Sequence, residues 1–236
     1  MAVVVVFGGL FYWFWLYDHE EIVDSTDIYT PSQPILEWQE ITIKESGPKK
    51  IMQIKMPRII IYSNYHVEND VNQAIKQRIE SINDYFINVT TMVAEDNGET
   101  NILNIETEIL LATPNLISLA FTSTRDLAGI NYSDQQRTFL IFDLVNNKVM
   151  IEGAELFPNE ISWARAVTIM KKVILSDYQG DPNCDLFFAP KQNGFSMSCI
   201  GVDYSLGGKQ ISLTKDIPIS MVQEFLTPSV LSDVTQ

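Results

Sequence analysis

Residues 101–126, NILNIETEILLATPNLISLAFTSTRD, contain two apolar runs separated by the turn sequence Ala-Thr-Pro-Asn. The first run, residues 102–111, places Leu103, Ile105 and Ile109 at alternating positions between polar neighbours. Successive side chains of a strand point to opposite faces, so this alternation predicts a half-buried strand. The second run, residues 116–123, predicts a strand that follows directly. We therefore expect paired strands at the centre of the fold.

The same strand pattern extends to both sides of this pair. Upstream, the turn sequence Gly47-Pro48 separates two apolar-polar alternations, and downstream Asn146-Asn147 marks a hairpin turn because asparagine tolerates positive φ. Further strands are predicted at residues 35–43, 51–56, 137–144, 148–151, 186–189, 195–200 and 210–214.

Two segments have the period of a helix. Residues 69–86 carry an apolar stripe at steps of three and four, which predicts a helix packed on a core: Val71, Ile75, Ile79, Ile82 and Phe86. Residues 159–175 predict a second helix, with Asn159 as its N-cap, and a short closing helix is expected near residues 221–226. The predicted fold is α+β: antiparallel sheets with two main helices packed against them.

The amino-terminal segment predicts a membrane anchor in front of this fold. Residues 2–17, AVVVVFGGLFYWFWLY, contain no charge and end in an aromatic cluster, and the first lysine or arginine is Lys44. Aromatic rings concentrate at the membrane interface, and cytoplasmic flanks carry basic residues, so the acidic flank here predicts an outward-facing chain. The segment is short for a spanning helix. A start site further upstream, a signal peptide and a buried segment of a soluble protein remain alternatives.

These patterns predict four regions along the chain. Residues 1–17 form the anchor, residues 18–34 an acidic tether, residues 35–95 an N-terminal α/β subdomain and residues 96–236 a C-terminal α+β subdomain. The tether prediction depends on its many carboxylates and on two prolines, which stiffen a linker.

Charge limits the partners of the chain. The net charge is −14 at a pI near 4.4, which argues against nucleic acid because phosphate binding requires a cationic surface. The same charge favours cationic partners, and it also serves solubility.

The two cysteines lie on either side of a predicted hairpin turn. Cys184 and Cys199 flank the turn near residues 191–194, and an outward-facing location permits a disulfide. A pair of buried free thiols is the alternative. No spacing of cysteine and histidine indicates zinc, and we predict no metal site and no cofactor.

The order of these elements resembles the extracytoplasmic domain shared by RsiV-like anti-sigma factors and PdaC-like peptidoglycan deacetylases. The resemblance covers residues 35–230 and is clearest in the second half of the chain. It is carried by LISLAF at residues 116–121, TFLIFDL at 138–144, AELF at 154–157, the hairpin at 186–195, Gly207-Gly208, and Ile217-Pro218-Ile219.

The resemblance implies a binding or sensing domain with no deacetylase module. Relatives commonly carry a glycine pair followed by Ala-His after the LISLAF-like strand, whereas residues 126–132 here contain one glycine and no histidine. RsiV-like relatives are associated with lysozyme recognition, so the implied partner is a cationic protein such as lysozyme, or cell-wall glycan.

Residues 123–136 are the expected binding loop, because they connect two strands and are mostly polar, and an ordinary strand connection is the alternative. The candidate binding residues are Arg125, Asp126, Gly129, Asn131, Tyr132 and Asp134. No catalytic motif is recognisable, so we predict a membrane-anchored, extracytoplasmic binding domain that is not an enzyme. The alternative is a cell-envelope enzyme, or an accessory domain, that acts on peptidoglycan.

Overall fold

The computed structural model describes residues 34–45, 50–61, 64–93, 100–127, 133–150, 153–180 and 182–235. The predicted anchor lies outside these residues, as does the predicted tether apart from Pro34. Within the described ranges, none of the helices has the length and apolar character needed to cross a membrane.

Six strands form the larger sheet, in the order of the chain. They are β1 (Ile35–Glu45), β2 (Lys50–Ile60), β3 (Asn101–Ala112), β4 (Leu116–Asp126), β5 (Ser133–Asp143) and β6 (Lys148–Met150). The pair at residues 101–126 confirms the expected strands, and β3 and β4 are antiparallel with a register shift between Ile109 and Leu111.

One neighbouring pair departs from the predicted antiparallel arrangement. β2 and β3 run parallel, with Met52 opposite Leu103 and Ile54 opposite Ile105. Parallel neighbours need a crossover connection, and helix α1 (Tyr65–Val93) supplies it. The sheet is therefore mixed, and the prediction of purely antiparallel sheets was wrong at this pair.

Helix α1 covers one face of the six-stranded sheet. Its predicted apolar stripe is confirmed as core, because Val71, Ile75 and Phe86 are fully or almost fully buried against strands β2 to β5. The helix begins at Tyr65, earlier than predicted, since Asn64 Oδ1 accepts a hydrogen bond from Val67 N at 3.3 Å. Asn72 fixes the helix to β2 by bonding both the N–H and the C=O of Ile59, at 2.9 and 2.7 Å.

The second sheet has three antiparallel strands in sequential order. They are β7 (Pro182–Lys191), β8 (Gly194–Asp203) and β9 (Lys209–Pro218). Every residue from Gly194 to Cys199 is buried, so β8 is covered on both faces. Helix α2 (Glu160–Ile174) contacts β8 and β9, and β7 contacts β3, β4 and β5 of the larger sheet.

The carboxyl-terminal helix differs from the prediction. Residues 219–221 and 223–225 form short 3-10 turns, and helix α3 (Pro228–Thr235) follows them, instead of one helix at 221–226. Pro228 is suited to the first turn of a helix because it lacks the N–H that would stay unpaired there. Asp233 of α3 is buried and accepts a hydrogen bond from Asn115 Nδ2 at 3.0 Å.

Two apolar cores lie on the two faces of the larger sheet. One joins α1 to the sheet, and the other joins the sheet to β7–β9, α2 and α3. The predicted boundary at residues 95 and 96 falls between α1 and β3, which both contribute to the first core.

Candidate functional site

The β4–β5 end, defined as residues 123–126 and 133–136 with Tyr85 beside them, contains the described part of the predicted binding loop. β4 continues to Asp126 and β5 begins at Ser133, with Arg125 opposite Asp134. Residues 123–126 and 133–136 are thus strand residues, and the prediction of a loop was wrong at these positions. Gly129, Asn131 and Tyr132 lie outside the described residues.

Arg125 is the central side chain of this end. It is 2% exposed and forms an ion pair with Asp134 on the neighbouring strand. The ring of Tyr85 covers the guanidinium, with its centroid 4.6 Å from Cζ. A cation over an aromatic face is attracted by the ring quadrupole, so Arg125 is held from two sides.

The position of Arg125 follows from the alternation of β4. Ile117, Leu119 and Phe121 share the core around α1, and the same alternation continues through Ser123 to Arg125. A buried arginine needs a carboxylate partner, because removing a lone charge from water is costly. Asp134 supplies that partner. Arg125 Nε is buried and has no hydrogen-bond partner within the described part of the chain.

Three residues of this end are exposed and available for contact: Tyr85, Asp126 and Gln135. Tyr85 is 47% exposed although its ring packs on Arg125, and Asp126 is exposed at the last position of β4. The sequence prediction missed Tyr85. It lies off the apolar stripe of α1, and no local pattern indicates that the helix brings it over β4.

The β8–β9 end, residues 203–209, is a second structured end. Asp203 is fully buried and accepts hydrogen bonds from Tyr178 Oη at 2.6 Å, Ser205 Oγ at 2.6 Å and Ser205 N at 2.8 Å. Tyr204 and Leu206 are exposed beside it. Gly207 and Gly208 adopt φ of 73° and 84°, a region that favours glycine.

The hydrogen bond between Tyr178 and Asp203 changes the pKa of both residues. The hydroxyls of Ser205 and Tyr178 lower the pKa of Asp203 because they donate to its carboxylate. The same contact raises the pKa of Tyr178, since the neutral phenol is the form that donates. Asp203 is therefore a structural carboxylate with its acceptors occupied.

A disulfide joins the two predicted cysteines. Cys184 of β7 and Cys199 of β8 are bonded with their Cα atoms 5.5 Å apart, and both are buried. They are diagonal neighbours, because Cys184 lies opposite Gly201 and Cys199 opposite Leu186. In the part of the chain that the structure describes, no three His, Cys, Asp or Glu side chains are grouped so as to hold a metal ion.

The architecture corresponds to a known class of fold. The chain shares 15% identity with a DUF3298 family member from Bacteroides fragilis NCTC 9343, at a TM-score of 0.52 over 84% of this chain and 97% of that one. It shares 13% identity with a DUF3298 family protein from Pseudomonas aeruginosa PAO1, at a TM-score of 0.54 over 85% and 97%. At these identities the likeness establishes a DUF3298-type fold. No protein-family model and no curated protein matches the chain.

Proposed function

We propose that this chain is a membrane-tethered, extracytoplasmic binding or sensing domain without catalytic activity. It recognises a cationic protein such as lysozyme, or cell-wall material, through the β4–β5 end. The RsiV-like and PdaC-like resemblance and the anchor-like sequence of residues 2–17 support this proposal as expectations.

The observation that carries the proposal is the preorganised β4–β5 end. Arg125 is buried and paired with Asp134, and it supports the exposed ring of Tyr85 from below. Binding is stronger when contact side chains lose little freedom, and rigid exposed tyrosines are typical anchors of protein interfaces. The β4–β5 end therefore offers an aromatic contact held in place over Arg125 near the end of β4.

Charge supports a cationic ligand. The chain has a net charge of −14, and Asp126 is an exposed carboxylate at the β4–β5 end. Complementary charge increases the rate of encounter and selects against like-charged partners, over a Debye length of about 8–10 Å at physiological salt. The short-range contact of Tyr85 must then supply the specificity.

The disulfide supports the proposed compartment. Bonds such as Cys184–Cys199 persist in oxidising environments and are rare in the reducing cytosol. An outward-facing chain provides that environment.

The proposal is tested by measuring how the whole chain, in a nonionic detergent, binds hen lysozyme. The affinity is measured at low salt and at about 0.3 M salt. We expect saturable binding that survives the higher salt. Tyr85→Ala should weaken it about tenfold or more, as loss of an interface anchor does. Tyr204→Ala is the matched control, because Tyr204 is also exposed but lies at the β8–β9 end, and we expect its effect to be within about twofold.

Three outcomes would argue against the proposal. Binding that disappears at the higher salt is general charge attraction. Equal losses in the two tyrosine variants would remove the β4–β5 end from the contact. Release of soluble fragments from purified peptidoglycan by the chain alone would favour the enzymatic alternative.

A further inference from the structure

Strand β5 has an open edge along its first half. β6 lies opposite Ile141–Asp143 only, so residues 133–138 of β5 have no strand on that side within the described parts of the chain. Residues 134–138 are all at least partly exposed, whereas residues 139–142 are buried. An unpaired strand edge presents N–H and C=O groups that can pair with another strand.

The direction of the backbone groups on this edge follows from the pairing of β5 with β4. Leu144 N donates to Asn115 O at 2.8 Å, so the even-numbered residues of β5 are the ones that bond to β4. The odd-numbered residues point the other way, toward β6 where it is present. The backbone groups of Gln135 and Arg137 are therefore directed outward, where no described strand meets them.

Both charged side chains of the segment are held away from this edge. Arg137 Nη2 donates to Glu108 Oε2 at 2.6 Å, and Glu108 lies on β3, on the far side of β4. Asp134 is paired with Arg125 of β4. Lysine and proline commonly guard exposed edges, and residues 133–138 contain neither. By contrast β9, an outer strand of the other sheet, carries two lysines and a proline.

We propose that the open edge of β5 pairs with the same edge of a second copy of this chain. The two strands run antiparallel about a two-fold axis at Gln136, which joins the larger sheets of the two copies. Side chains directly opposite in an antiparallel pair lie on the same face, and an axis through one residue satisfies this condition. The inference is independent of the proposed function, since a second copy requires neither a ligand nor the ring of Tyr85.

The axis at Gln136 is the register that the side chains favour. It places Gln135 opposite Arg137 of the second copy, so the outward backbone groups of these two residues bond each other. It also places Asp134 opposite Thr138. An axis at Asp134 or at Arg137 would set like charges directly opposite each other, which is destabilising. An axis at Gln135 would overlap fewer residues, because it lies nearer the start of the strand.

A pairing limited to one strand edge makes a weak, transient dimer. Its interface is far smaller than that of a stable complex, so we expect a dissociation constant on the order of 0.1–1 mM. Each copy also carries a net charge of −14, and two such copies repel each other at long range. Salt screens this repulsion, so the dimer should become tighter as the salt concentration increases.

Disulfide crosslinking of the whole chain, in a nonionic detergent, tests the proposal. Gln136→Cys places a thiol at the two-fold axis, where the Cα atoms of the two copies should be about 4.5 Å apart, within reach of a disulfide. The two cysteines of the chain are already bonded to each other, so the introduced thiol is the one that reacts. Thr214→Cys is the matched control, because Thr214 is exposed on the outer strand β9. With copper phenanthroline as the oxidant, we expect Gln136→Cys to form covalent dimer about tenfold faster than the control, and faster still at about 0.3 M salt.

A proline at the edge provides a second test. Gln135→Pro, added to Gln136→Cys, removes an outward N–H and leaves the bonds to β4 in place, so crosslinking should slow by about tenfold. Circular dichroism spectra that match the unaltered chain show that the variants are folded. In the unaltered chain, the amide N–H groups of Gln135 and Arg137 should exchange more slowly at high protein concentration than at low.

The proposal is overturned by any of three results. Gln136→Cys crosslinks no faster than Thr214→Cys, or the added proline has no effect on the rate. The amide exchange of Gln135 and Arg137 is the same at all protein concentrations up to about 1 mM.

Discussion

Two hairpin ends of the molecule, the β4–β5 end and the β8–β9 end, are stabilised by different kinds of buried charge. At the β4–β5 end, a buried cation, Arg125, depends on one carboxylate and one aromatic ring. At the β8–β9 end, a buried anion, Asp203, is bonded by neutral hydroxyls and a backbone N–H. Both ends present an exposed tyrosine, Tyr85 and Tyr204.

The difference lies in what happens when a single partner is lost. The carboxylate of Asp203 accepts several hydrogen bonds, two of them from Ser205. Removal of one donor therefore leaves the carboxylate bonded to the others. Arg125 has one carboxylate within the described residues, and its removal leaves a buried charge without a counter-charge. The β4–β5 end is therefore the more fragile of the two, and it is also the one to which we assign ligand binding.

Removal of the carboxylate at the β4–β5 end has the largest expected effect. Asp134→Asn keeps the side-chain shape but leaves Arg125 buried and unpaired, which should lower the free energy of unfolding by about 3–5 kcal/mol. Urea denaturation followed by circular dichroism measures this loss. A single domain has a stability of about 5–15 kcal/mol, so the variant should remain folded at low temperature.

The double variant Arg125→Met with Asp134→Leu is the control for this prediction. Replacing a buried ion pair by apolar side chains of similar size is often neutral. We expect the double variant to be more stable than Asp134→Asn alone. If the two lose the same free energy, the cost lies in packing and not in the unpaired charge.

The disulfide gives the sheet of β7, β8 and β9 a covalent constraint that the β4–β5 end lacks. Cys184 and Cys199 are 15 residues apart, and closing a loop of that length contributes roughly 3 kcal/mol. The variant Cys184→Ala with Cys199→Ala should lose about this amount, and so should the unaltered chain in reductant. Hydrogen exchange should speed up in β7 and β8 more than in β4 and β5. The prediction would be contradicted if the reductant left the urea midpoint of the unaltered chain unchanged.

Loss of one donor at the β8–β9 end should have a smaller effect. Tyr178→Phe removes the hydroxyl that bonds Asp203 but leaves both bonds from Ser205. We expect a modest decrease in stability at neutral pH, and faster amide exchange at Gly208, whose N–H donates to the carbonyl of Asp203 at 3.0 Å. A loss as large as that of Asp134→Asn would remove the contrast between the two ends.

The pH dependence of the same variant separates charge from packing. The folded pKa of Asp203 lies below its ordinary value, because Ser205 and Tyr178 donate to the carboxylate. Its contribution to stability is thus present above the unfolded pKa of about 3.9, and is lost as the pH falls through the folded value. Tyr178→Phe should reduce this acid-sensitive part, so the stabilities of the two chains should approach each other in acid.

The sequence predicted the positions of the helices and strands better than it predicted which strands pair with each other. The helix at residues 159–175 is found at Glu160–Ile174, with the predicted cap: Asn159 Oδ1 accepts from Ser162 N at 2.9 Å. Such caps are local, so a local pattern can reveal them. The parallel pairing of β2 with β3 depends on where α1 returns the chain, and no local pattern of apolar residues contains that information.

The candidate site shows the same limit. The sequence drew attention to Arg125, Asp126 and Asp134, yet it placed them in a polar loop because charged residues are usually exposed. The buried positions of β4 alternate from Ile117 to Phe121, and the same alternation continues to Arg125. This alternation was the signal in the sequence that Arg125 is buried. The stabilising partner Tyr85 comes from a helix forty residues away in sequence, which only the tertiary structure reveals.

Removal of an exposed ion pair should have the smallest effect on stability. It is the counterpart of the buried ion pair at the β4–β5 end. Asp177 is largely exposed, and Lys215 lowers its pKa chiefly through a direct hydrogen bond, yet Lys215 also donates to Val173 O at 3.2 Å and Ser176 Oγ at 3.0 Å. Asp177→Asn leaves those contacts and faces water, so we expect no measurable change in the urea midpoint. A clear loss would mean that exposed ion pairs also contribute to the stability of the fold. The buried position of Arg125 would then not explain the fragility of the β4–β5 end.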